Sequence, residues 1–542
     1  MAIVAQSVSA SESGADPGRA PDEDLSPSIN PATGELLGFH AVQQAVDVRA
    51  AVERARSAQP AWAALPVETR ADCVLRVRDY VVDNADELAR VIAEDSGKTR
   101  TDAMLTEVLT SAAAATYYAR NARGFLAERW VRPSTGLLAY KVSKIARVPF
   151  GVVGIISPWN YPFAIPFSEV VMALLAGNGV VLKTASQTQR VGHALAHAFT
   201  GAGLPSGIFS HVNLPGRIAG RAFLGAGIDK LFFTGSVGVG KGLMALAADT
   251  LTPVSLELGG NDAMLVCPDA DLERAAAGAV WAGMQNAGQT CGGVERIYVH
   301  RAVYEPFLEL LAERVKKLRV GPDADFDVDM GAMTTAEQSA TVRAHVRDAI
   351  EGGARLYARS ECPVADEGTF LPAMVLTDVA QDMRVMQEET FGPVVAVMAV
   401  DSMNQAVALA NDSSLGLTGS VWSRDRRRAE ALARRIQAGA VTINDHLVSN
   451  GLPETPWGGV KESGIGRTHG ELGFAEMTQP QVLVSDYLPG ARGNLWWYPH
   501  GREVYNGLRG MLDLLYARGV GRKLKGLMDL TRLLPRMFGA NR

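Results

Sequence analysis

The spacing of apolar residues changes character after about residue 130. In residues 45–130 the apolar positions lie three and four residues apart, which predicts helices. From Val152 onward, short β-branched runs end in turn residues and precede helical patterns, as in GVVGIISPWN, GVVLKTASQT, IFSHVNLPG and DKLFFTGS. Such strand–turn–helix units predict a parallel sheet covered by helices, with ligands at the carboxyl ends of its strands.

A second α/β set is predicted from about residue 261 to residue 460. Two further segments, KVSKIARVPF and QVLVSDYLPG, have the pattern of extended chain and belong to neither set. The chain has 542 residues, of which 47% are hydrophobic and 20% are charged. This length exceeds what a single core supports, so we expect a globular α/β protein of two or more domains.

The ends of the chain differ from this α/β body. The first 29 residues are rich in Ser, Ala, Pro and acidic residues and lack the regions of a secretory signal, so we interpret them as a flexible leader. Residues 502–542 contain nine Lys or Arg and three Asp or Glu. The rest of the chain is therefore net acidic, which argues against nucleic acid as a partner.

An amphipathic pattern runs through this basic extension. Its apolar residues keep helical spacing between basic residues: Leu508, Met511, Leu512, Leu515, Leu524, Leu527 and Met528. Such a helix either lies in a membrane interface or packs on the protein or a neighbouring subunit, and the sequence leaves both open. Four cysteines without paired spacing favour a reducing compartment, so we expect the cytoplasm, and the open membrane alternative for the extension would make the protein peripheral at a membrane there.

Several polar residues stand where predicted strands end. Gly235 and Ser236 follow one strand and precede a helical pattern, which suits a phosphate at the helix N-terminus. Asn160, in SPWNYPF, could donate to a developing oxyanion, and Glu257, in LELGGND, places a carboxylate beside two glycines. Taken singly, each also fits a purely structural role, as a turn former or a solvated charge.

Cys291 stands among small residues in NAGQTCGGVER. A lone cysteine is most often a buried small hydrophobic residue. Here the flanking Gly288 and Gly292 leave the thiol room to meet a substrate, and a thiolate is a good nucleophile toward an aldehyde carbonyl. His193 and His197 have the spacing of a metal pair, but no third ligand is apparent, so no metal is expected.

Seven motifs occur in order along the chain: SPWNYPF, KTASQT, FTGSVGVG, LELGGND, GQTCGGVER, EETFGPV and PWGGVKESGIGR. Over about residues 30–490 they resemble the aldehyde dehydrogenase superfamily, in its hydrolytic branch that does not transfer an acyl group to coenzyme A. The resemblance implies an α/β fold with a homodimeric or homotetrameric assembly. Its implied parts are a Rossmann-type dinucleotide-binding domain (30–130 and 150–260), an α/β catalytic domain (261–476) and a small β oligomerisation element (131–149 and 477–490), followed by the extension (491–542).

The resemblance also assigns chemistry to individual residues. It implies that Cys291 forms a thiohemiacetal and then a thioester, that Asn160 stabilises the oxyanion and that Glu257 activates water. NAD or NADP is implied to lie against Trp159, Lys183, Ser186, Gly235, Ser236, Glu389 and Phe391. Because Ser186 stands where NAD-preferring members often have a glutamate, we expect NADP to be tolerated and even preferred.

Five residues are implied to line the aldehyde tunnel: Tyr161, Ala164, Ile165, Ser168 and Trp457. A wide, mostly apolar tunnel favours a bulky aliphatic or aromatic aldehyde. Two alternatives stay open. One is succinate semialdehyde, although no arginine is evident among these residues to hold its carboxylate, and the other is a catalytically silent structural homologue.

Overall fold

A computed structural model of the protein describes residues 25–362 and 368–539. Most of the interpreted leader, residues 1–29, lies outside this range, but its last residues Leu25–Ile29 form a strand that pairs with Leu36–Ala41. The leader therefore ends earlier than the composition suggested, because alternating side chains let this segment join a hairpin. The chain divides into two compact units, made by the residues up to Ala127 with Arg147–Gln479, and by Glu128–Ala146 with the residues from Pro480 onward.

Strands and helices alternate along the first unit as the sequence pattern predicts, and the list that follows covers the elements of both units. The strands are β1 (Leu25–Ile29), β2 (Leu36–Ala41), β3 (Arg129–Val131), β4 (Lys141–Pro149), β5 (Val152–Ile156), β6 (Gly179–Lys183), β7 (Phe209–Val212), β8 (Lys230–Thr234), β9 (Val254–Glu257), β10 (Asp262–Val266), β11 (Val294–His300), β12 (Arg355–Arg359), β13 (Met374–Thr377), β14 (Val394–Val400), β15 (Thr418–Trp422), β16 (Ala440–Ile443), β17 (Gly464–Ile465) and β18 (Thr478–Asp486). The helices are α1 (Ala45–Ala63), α2 (Val67–Asp83), α3 (Ala85–Ser96), α4 (Arg100–Ala103), α5 (Thr110–Phe125), α6 (Ala164–Leu175), α7 (Gln189–Gly201), α8 (Gly216–Gly225), α9 (Val237–Ala248), α10 (Leu272–Met284), α11 (Tyr304–Lys316), α12 (Ala336–Glu351), α13 (Arg384–Gln387), α14 (Met403–Asn411), α15 (Arg426–Ala433), α16 (Gly470–Glu476), α17 (Arg502–Tyr516) and α18 (Val520–Leu533).

The first sheet has the strand order β17-β9-β8-β5-β6-β7. Strands β5 to β9 are parallel, and every residue of β5 and β6 is buried, as expected when helices cover both faces. The chain leaves β5 toward β6 and later returns on its other side at β8. This reversal places the loops that follow β5, β6 and β8 around one crevice at the carboxyl edge of the sheet.

A short late strand completes this sheet. Strand β17 pairs antiparallel with β9, with Gly464 opposite Glu257. Residues 464–465 come from the stretch that the sequence assigned to the catalytic domain, so the chain returns to the first sheet after leaving it. The motif PWGGVKESGIGR therefore ends beside the carboxylate of Glu257.

The second sheet has the order β12-β13-β14-β11-β10-β15-β16 and is parallel except for β12. It is built on a large apolar core that includes Met264, Ile297 and Val397, each fully buried. Residues 258–261 connect β9 of the first sheet to β10 of the second. The two parallel sheets with flanking helices confirm the predicted α/β class.

The second unit joins the predicted oligomerisation strands to the carboxyl-terminal extension. Its sheet has the order β18-β4-β3, and α17 and α18 form a helical hairpin. The two helices approach closely where Gly510 meets Gly526, since a Cβ at Gly510 would lie 2.7 Å from the Gly526 carbonyl oxygen. None of the described helices is long and apolar enough to cross a membrane.

The apolar residues of the extension do not share one face. Val504, Leu530 and Leu533 are buried in a small core, and Met511 packs against it. Five of the residues in the predicted stripe stay exposed, namely Leu508, Leu512, Leu524, Leu527 and Met528. The extension thus has its own core and keeps an apolar outer surface.

A fully buried ion pair fixes the chain next to the first sheet. Lys98 Nζ donates to Glu107 Oε1 (2.5 Å) and to the backbone carbonyl of Asn160 (2.7 Å). The second carboxylate oxygen of Glu107 accepts from the backbone N–H groups of Phe163 (2.7 Å) and Ala164 (3.1 Å). One ion pair therefore anchors both the turn that carries Asn160 and the start of α6.

Candidate active site

The loop between α10 and β11 carries Cys291 and departs from regular structure. Asn286 and Ala287 adopt φ values of 55° and 54°, in the left-handed region. Gly288 follows with a φ of 71°, and a side chain there would overlap the backbone carbonyl of Gly392. This turn leaves Cys291 half-buried at the wall of a cavity.

Buried amides hold this loop against the turn that contains Asn160. The side chain of Gln289 donates to the Asn286 carbonyl (2.9 Å) and accepts from the backbone N–H of Thr334 (2.9 Å). Asn160 Nδ2 donates to the Gln289 carbonyl (3.1 Å), and Asn286 Nδ2 donates to the Asn160 carbonyl (3.0 Å). The Asn160 amide is therefore fixed beside the loop of Cys291, whose own backbone N–H has no acceptor within the described residues.

The surroundings of Cys291 oppose ionisation of its thiol. Burial raises the pKa of the Cys291 thiol, and the charges of Glu389, Asp262 and Glu257 raise it further. A thiol in this state is a weak nucleophile until a base removes its proton. Of these three carboxylates, Glu257 is the one that lines the same cavity as Cys291.

The buried ring of His446 contacts the backbone of the loop that carries Cys291. His446 Nε2 lies 3.0 Å from the Gly292 carbonyl oxygen, and its Nδ1 lies 2.8 Å from Ser420 Oγ. Burial lowers the pKa of His446 to about 4, so the ring is neutral at physiological pH and donates from Nε2 to the carbonyl. This role was not predicted, because His446 lies 154 residues along the chain from Gly292 of the cysteine motif.

Glu257 is the last residue of β9 and is buried. Burial raises the pKa of its carboxyl well above the ordinary value, and the charge of Glu169 adds to this effect. The guanidinium of Arg467, which donates to the Gly459 and Gly466 carbonyls, opposes it. A carboxyl in this environment holds a proton more readily than a solvated one, as a general base requires.

Cys291 and Glu257 open into one cavity of about 360 Å³. The five residues that the sequence placed along the tunnel all line it, namely Tyr161, Ala164, Ile165, Ser168 and Trp457. Other apolar residues of its wall are Leu105, Trp281, Leu417, Leu447, Val448 and Pro453, and polar residues that include Glu169, Asp445, His446 and His469 line it as well. No lysine or arginine lines the cavity within the described chain, so it offers a substrate a mostly apolar surface with two reactive groups.

The crevice at the first sheet gathers most of the residues expected to hold a cofactor. Lys183 ends β6 and is buried, and its side-chain ammonium forms no hydrogen bond or ion pair with any other described residue. Burial lowers the pKa of its ammonium to about 8. Ser236 precedes α9 without a side-chain cap, and Gly235 joins it to β8. A buried cation without a partner and an uncapped helix start, both at the carboxyl ends of neighbouring strands of the first sheet, fit the ribose hydroxyls and phosphates of a dinucleotide.

The motif EETFGPV, residues 388–394, lies close enough to Cys291 for the charge of Glu389 to raise the pKa of its thiol. Glu389 Oε1 accepts from the backbone N–H of Gly260 (2.9 Å), and the ring of Phe391 meets the ring of Trp159 edge-on at 5.6 Å. The turn is held by Glu295, a residue to which the sequence analysis assigned no role. Its carboxylate accepts from the backbone N–H groups of Thr390 (2.9 Å) and Phe391 (2.7 Å).

The spacing of His193 and His197 has another explanation in the structure. His193 stacks on His40 with ring centroids 4.9 Å apart and meets His211 edge-on at 5.3 Å. Burial lowers the pKa of His40 to about 4 and also lowers that of His193. These rings pack as neutral aromatic groups between β2 and the first sheet.

Comparison with known proteins agrees with this geometry. The model of the aldehyde dehydrogenase family matches residues 19–483. The chain is 38% identical to 4,4'-diapolycopene aldehyde oxidase of Methylomonas sp. over 491 residues, covering 90% of this chain and 91% of that protein. It is 40% identical over 472 residues to a Mycolicibacterium smegmatis protein provisionally named succinate-semialdehyde dehydrogenase (NADP+), covering 86% and 90% of the two chains.

A solved structure gives the same result for the fold. The crystal structure of aldehyde dehydrogenase from Brucella melitensis biovar abortus 2308 superposes with a TM-score of 0.82. The two chains are 34% identical, and the match covers 86% of this chain and 95% of the other. The family match extends over nearly the whole first unit and includes every motif that surrounds Cys291. The protein belongs to the aldehyde dehydrogenase family and is an NAD(P)-dependent oxidoreductase.

Proposed function

We propose that the protein oxidises a bulky, lipophilic aldehyde to its carboxylic acid with Cys291 as the nucleophile. The observation that carries this proposal is the cavity shared by Cys291 and Glu257, whose wall is mostly apolar and contains no lysine or arginine among the described residues. A substrate carboxylate would lose its hydration there without gaining a cationic partner, which is unfavourable. This argument favours a long aliphatic or aromatic aldehyde over succinate semialdehyde.

Each step of the reaction has a residue suited to it. The Cys291 thiolate adds to the carbonyl carbon, and the oxyanion accepts hydrogen bonds from Asn160 Nδ2 and the backbone N–H of Cys291. The cofactor, when bound, supplies the hydride acceptor. Loss of hydride leaves a thioester on Cys291. Glu257 then takes a proton from the water that attacks this thioester, and the acid leaves.

A first prediction separates acylation from hydrolysis. Glu257→Gln leaves the nucleophile in place but cannot accept the proton of water, so the thioester accumulates after one round of hydride transfer. Intact-protein mass spectrometry after addition of NADP and an equimolar mixture of decanal and succinate semialdehyde would show the mass of a decanoyl group on the protein.

The matched control is the double variant Cys291→Ala and Glu257→Gln, which has no thiol and gains no mass. Sustained turnover by Glu257→Gln would contradict the role of Glu257. A succinyl adduct in excess over the decanoyl adduct would instead favour the small, charged substrate.

The cofactor preference rests on the region after β6. Ser186 begins a short turn, Ser186–Thr188, directly after the strand that ends at the unpartnered cation of Lys183. A 2′-phosphate near Lys183 gains an attractive partner and meets no carboxylate from position 186. NADP is therefore the proposed preferred cofactor, with NAD also accepted.

Ser186→Glu is expected to shift the cofactor preference from NADP to NAD. The new carboxylate repels a 2′-phosphate and accepts hydrogen bonds from ribose hydroxyls, so kcat/KM for NADP falls by at least tenfold while kcat/KM for NAD is kept or rises. The neighbouring exposed position supplies a control with equal charge, Gln187→Glu, which leaves the ratio unchanged. An unchanged ratio in Ser186→Glu would place the 2′-phosphate elsewhere.

We further infer that the protein is a homo-oligomer through its three-stranded sheet. Strand β18 lies at the edge of this sheet and is exposed along nearly its whole length, including Val482 and Val484. An exposed apolar edge strand is a template for pairing with another chain. Static light scattering is expected to give two or four times the chain mass of 57.7 kDa. A particle of 57.7 kDa at micromolar concentration would contradict the assembly.

The outer surface of the helical hairpin suits an anionic membrane. Leu524 and Met528 are 58% and 55% exposed, and Tyr505 is 72% exposed. Nearby basic residues without an ion pair among the described residues are Arg502, Arg518, Lys523 and Lys525. Each basic residue near an anionic surface contributes about 1 kcal/mol, and the apolar side chains add interfacial burial. The hairpin is therefore proposed to bring the enzyme to lipophilic aldehydes in a bilayer.

Vesicle sedimentation tests this contact. The full chain is expected to sediment with anionic phosphatidylserine vesicles at low salt and much less at high salt, because charge supplies part of the binding. Removing exposed apolar side chains (Leu524→Ser with Leu527→Ser) and removing charge (Lys523→Gln with Lys525→Gln) should each weaken sedimentation. If the full chain and both double variants show equal, negligible sedimentation, the membrane contact is contradicted. The exposed hairpin surface would then be expected to bind another copy of the chain, which would be detected as a larger mass in solution.

A further inference from the structure

Two adjacent polar side chains, Thr468 and His469, interrupt the apolar wall of the cavity just before α16. Both residues are buried, at 6% and 9% exposed. Thr468 Oγ1 and His469 Nδ1 form no hydrogen bond with any other described residue. A buried polar atom without a partner is unfavourable, so two such atoms on one cavity wall require an explanation.

The backbone holds this pair at a fixed position relative to Cys291. Thr468 and Trp457 exchange two backbone hydrogen bonds, of 2.8 and 2.9 Å. The ring of Trp457 lies against the loop of Cys291, since a Cβ at Gly292 would lie 2.8 Å from its Cη2 atom. The pair therefore belongs to the same part of the wall as the thiol, and a substrate joined to Cys291 meets both at a set geometry.

The conformation of His469 shows that its side chain has no local structural task. Its φ of 62° lies in the left-handed region, which glycine adopts freely and most other residues adopt at a cost. His469 precedes α16, but its ring does not cap that helix. Local structure thus gives no reason for an imidazole at this position. Residues held in such conformations are concentrated at binding sites, and the cavity lies directly beside the ring.

The electrostatics of the wall favour an uncharged partner for the pair. Burial lowers the pKa of His469 to about 4, so at neutral pH the ring has one N–H donor and one acceptor nitrogen. No lysine or arginine among the described residues lines the cavity to hold an anion. Burial raises the pKa of the Glu257 carboxyl, and that of Glu169 to about 8, so both wall carboxyls favour the uncharged form and attract an ammonium group little.

We propose that Thr468 and His469 bind an uncharged oxygen on the carbon chain of the substrate. The preferred substrate is then a lipophilic aldehyde with a hydroxyl or keto group at a set distance from its aldehyde carbon. The proposal rests on the proposed function and narrows its substrate class. A plain hydrocarbon chain leaves both buried polar atoms without a partner, and a site built to bind a substrate oxygen discriminates against the analogue that lacks it.

The test compares decanal with hydroxydecanals and oxodecanals that carry the extra oxygen at different carbons of the chain. Steady-state rates of NADP reduction by the full-length enzyme give kcat and KM for each aldehyde. We expect one position of the oxygen to raise kcat/KM at least tenfold over decanal, mainly through a lower KM. Isomers with the oxygen elsewhere should be poorer than decanal, because that oxygen loses its water without gaining a partner. The hydroxyl and keto series identify which oxygen is bound.

Substitutions assign the preference to the pair. Thr468→Val keeps the shape of the side chain without its hydroxyl, and His469→Phe keeps a ring beside Tyr118, whose centroid lies 6.4 Å away. Each should lower kcat/KM for the preferred isomer and leave that for decanal unchanged or higher. His469→Asn tolerates the left-handed backbone and keeps hydrogen-bonding groups, so it should retain part of the preference. The control is Tyr118→Phe, which removes a buried, unpartnered hydroxyl that does not line the cavity.

The outcomes separate this proposal from the proposed function. Turnover of decanal at the same kcat/KM as every oxygenated isomer would overturn the oxygen site alone. A preference that survives in Thr468→Val and His469→Phe, or that falls equally in Tyr118→Phe, would also overturn it. If His469→Phe has a much lower melting temperature, Thr468→Val decides the question. Failure of the unmodified enzyme to oxidise any of these aldehydes would instead contradict the proposed function.

Discussion

The ion pair between Lys98 and Glu107 is the interaction on which the active-site geometry depends. Two unpaired charges in this position would each cost several kcal/mol, and their attraction offsets that cost only with good geometry and further hydrogen bonds. Both conditions hold, because Lys98 also donates to the Asn160 carbonyl and Glu107 also accepts two backbone N–H groups. The turn with Asn160, the proposed oxyanion donor, and the start of α6 are thus fixed by one pair, and α6 in turn contributes Ala164, Ile165, Ser168 and Glu169 to the cavity wall.

A second constraint is the accumulation of carboxyl groups around a single thiol. Glu257, Glu389 and Asp262 all disfavour the Cys291 thiolate, and each has a raised pKa of its own because it is buried. In such a site the carboxyl and thiol groups favour their protonated, uncharged forms. The thiol proposed as the nucleophile is therefore held mainly in its protonated form in the resting protein, and the protonated form is the less reactive one.

The sequence predicted those candidate site residues that lie within a short motif together with other residues of the same site. Asn160, Glu257 and Cys291 each lie in a short motif that ends a strand or a loop, and strand–turn–helix periodicity predicted the sheets that carry them. Glu295, His446 and Lys98 were not found, because each acts on a partner that is distant in sequence: Lys98 holds Asn160 from 62 residues away, and His446 meets Gly292 across 154. Helical spacing in the extension also failed to show which apolar residues face inward, since the hairpin core depends on where the two helices touch.

The pairing of β17 with β9 has a consequence for how the chain can be divided. Because the strand after residue 463 returns to the first sheet, the part of the first unit that holds this sheet is interrupted in sequence by the second sheet, whose strands run from Asp262 to Ile443. A fragment that stops near residue 260 would leave β9 as an unpaired edge and would expose Glu257 to water from one side. Two separately expressed fragments, cut in the loop between β16 and β17, would each lack part of the wall around Glu257. A division of the chain between the two sheets therefore separates segments that together surround Glu257.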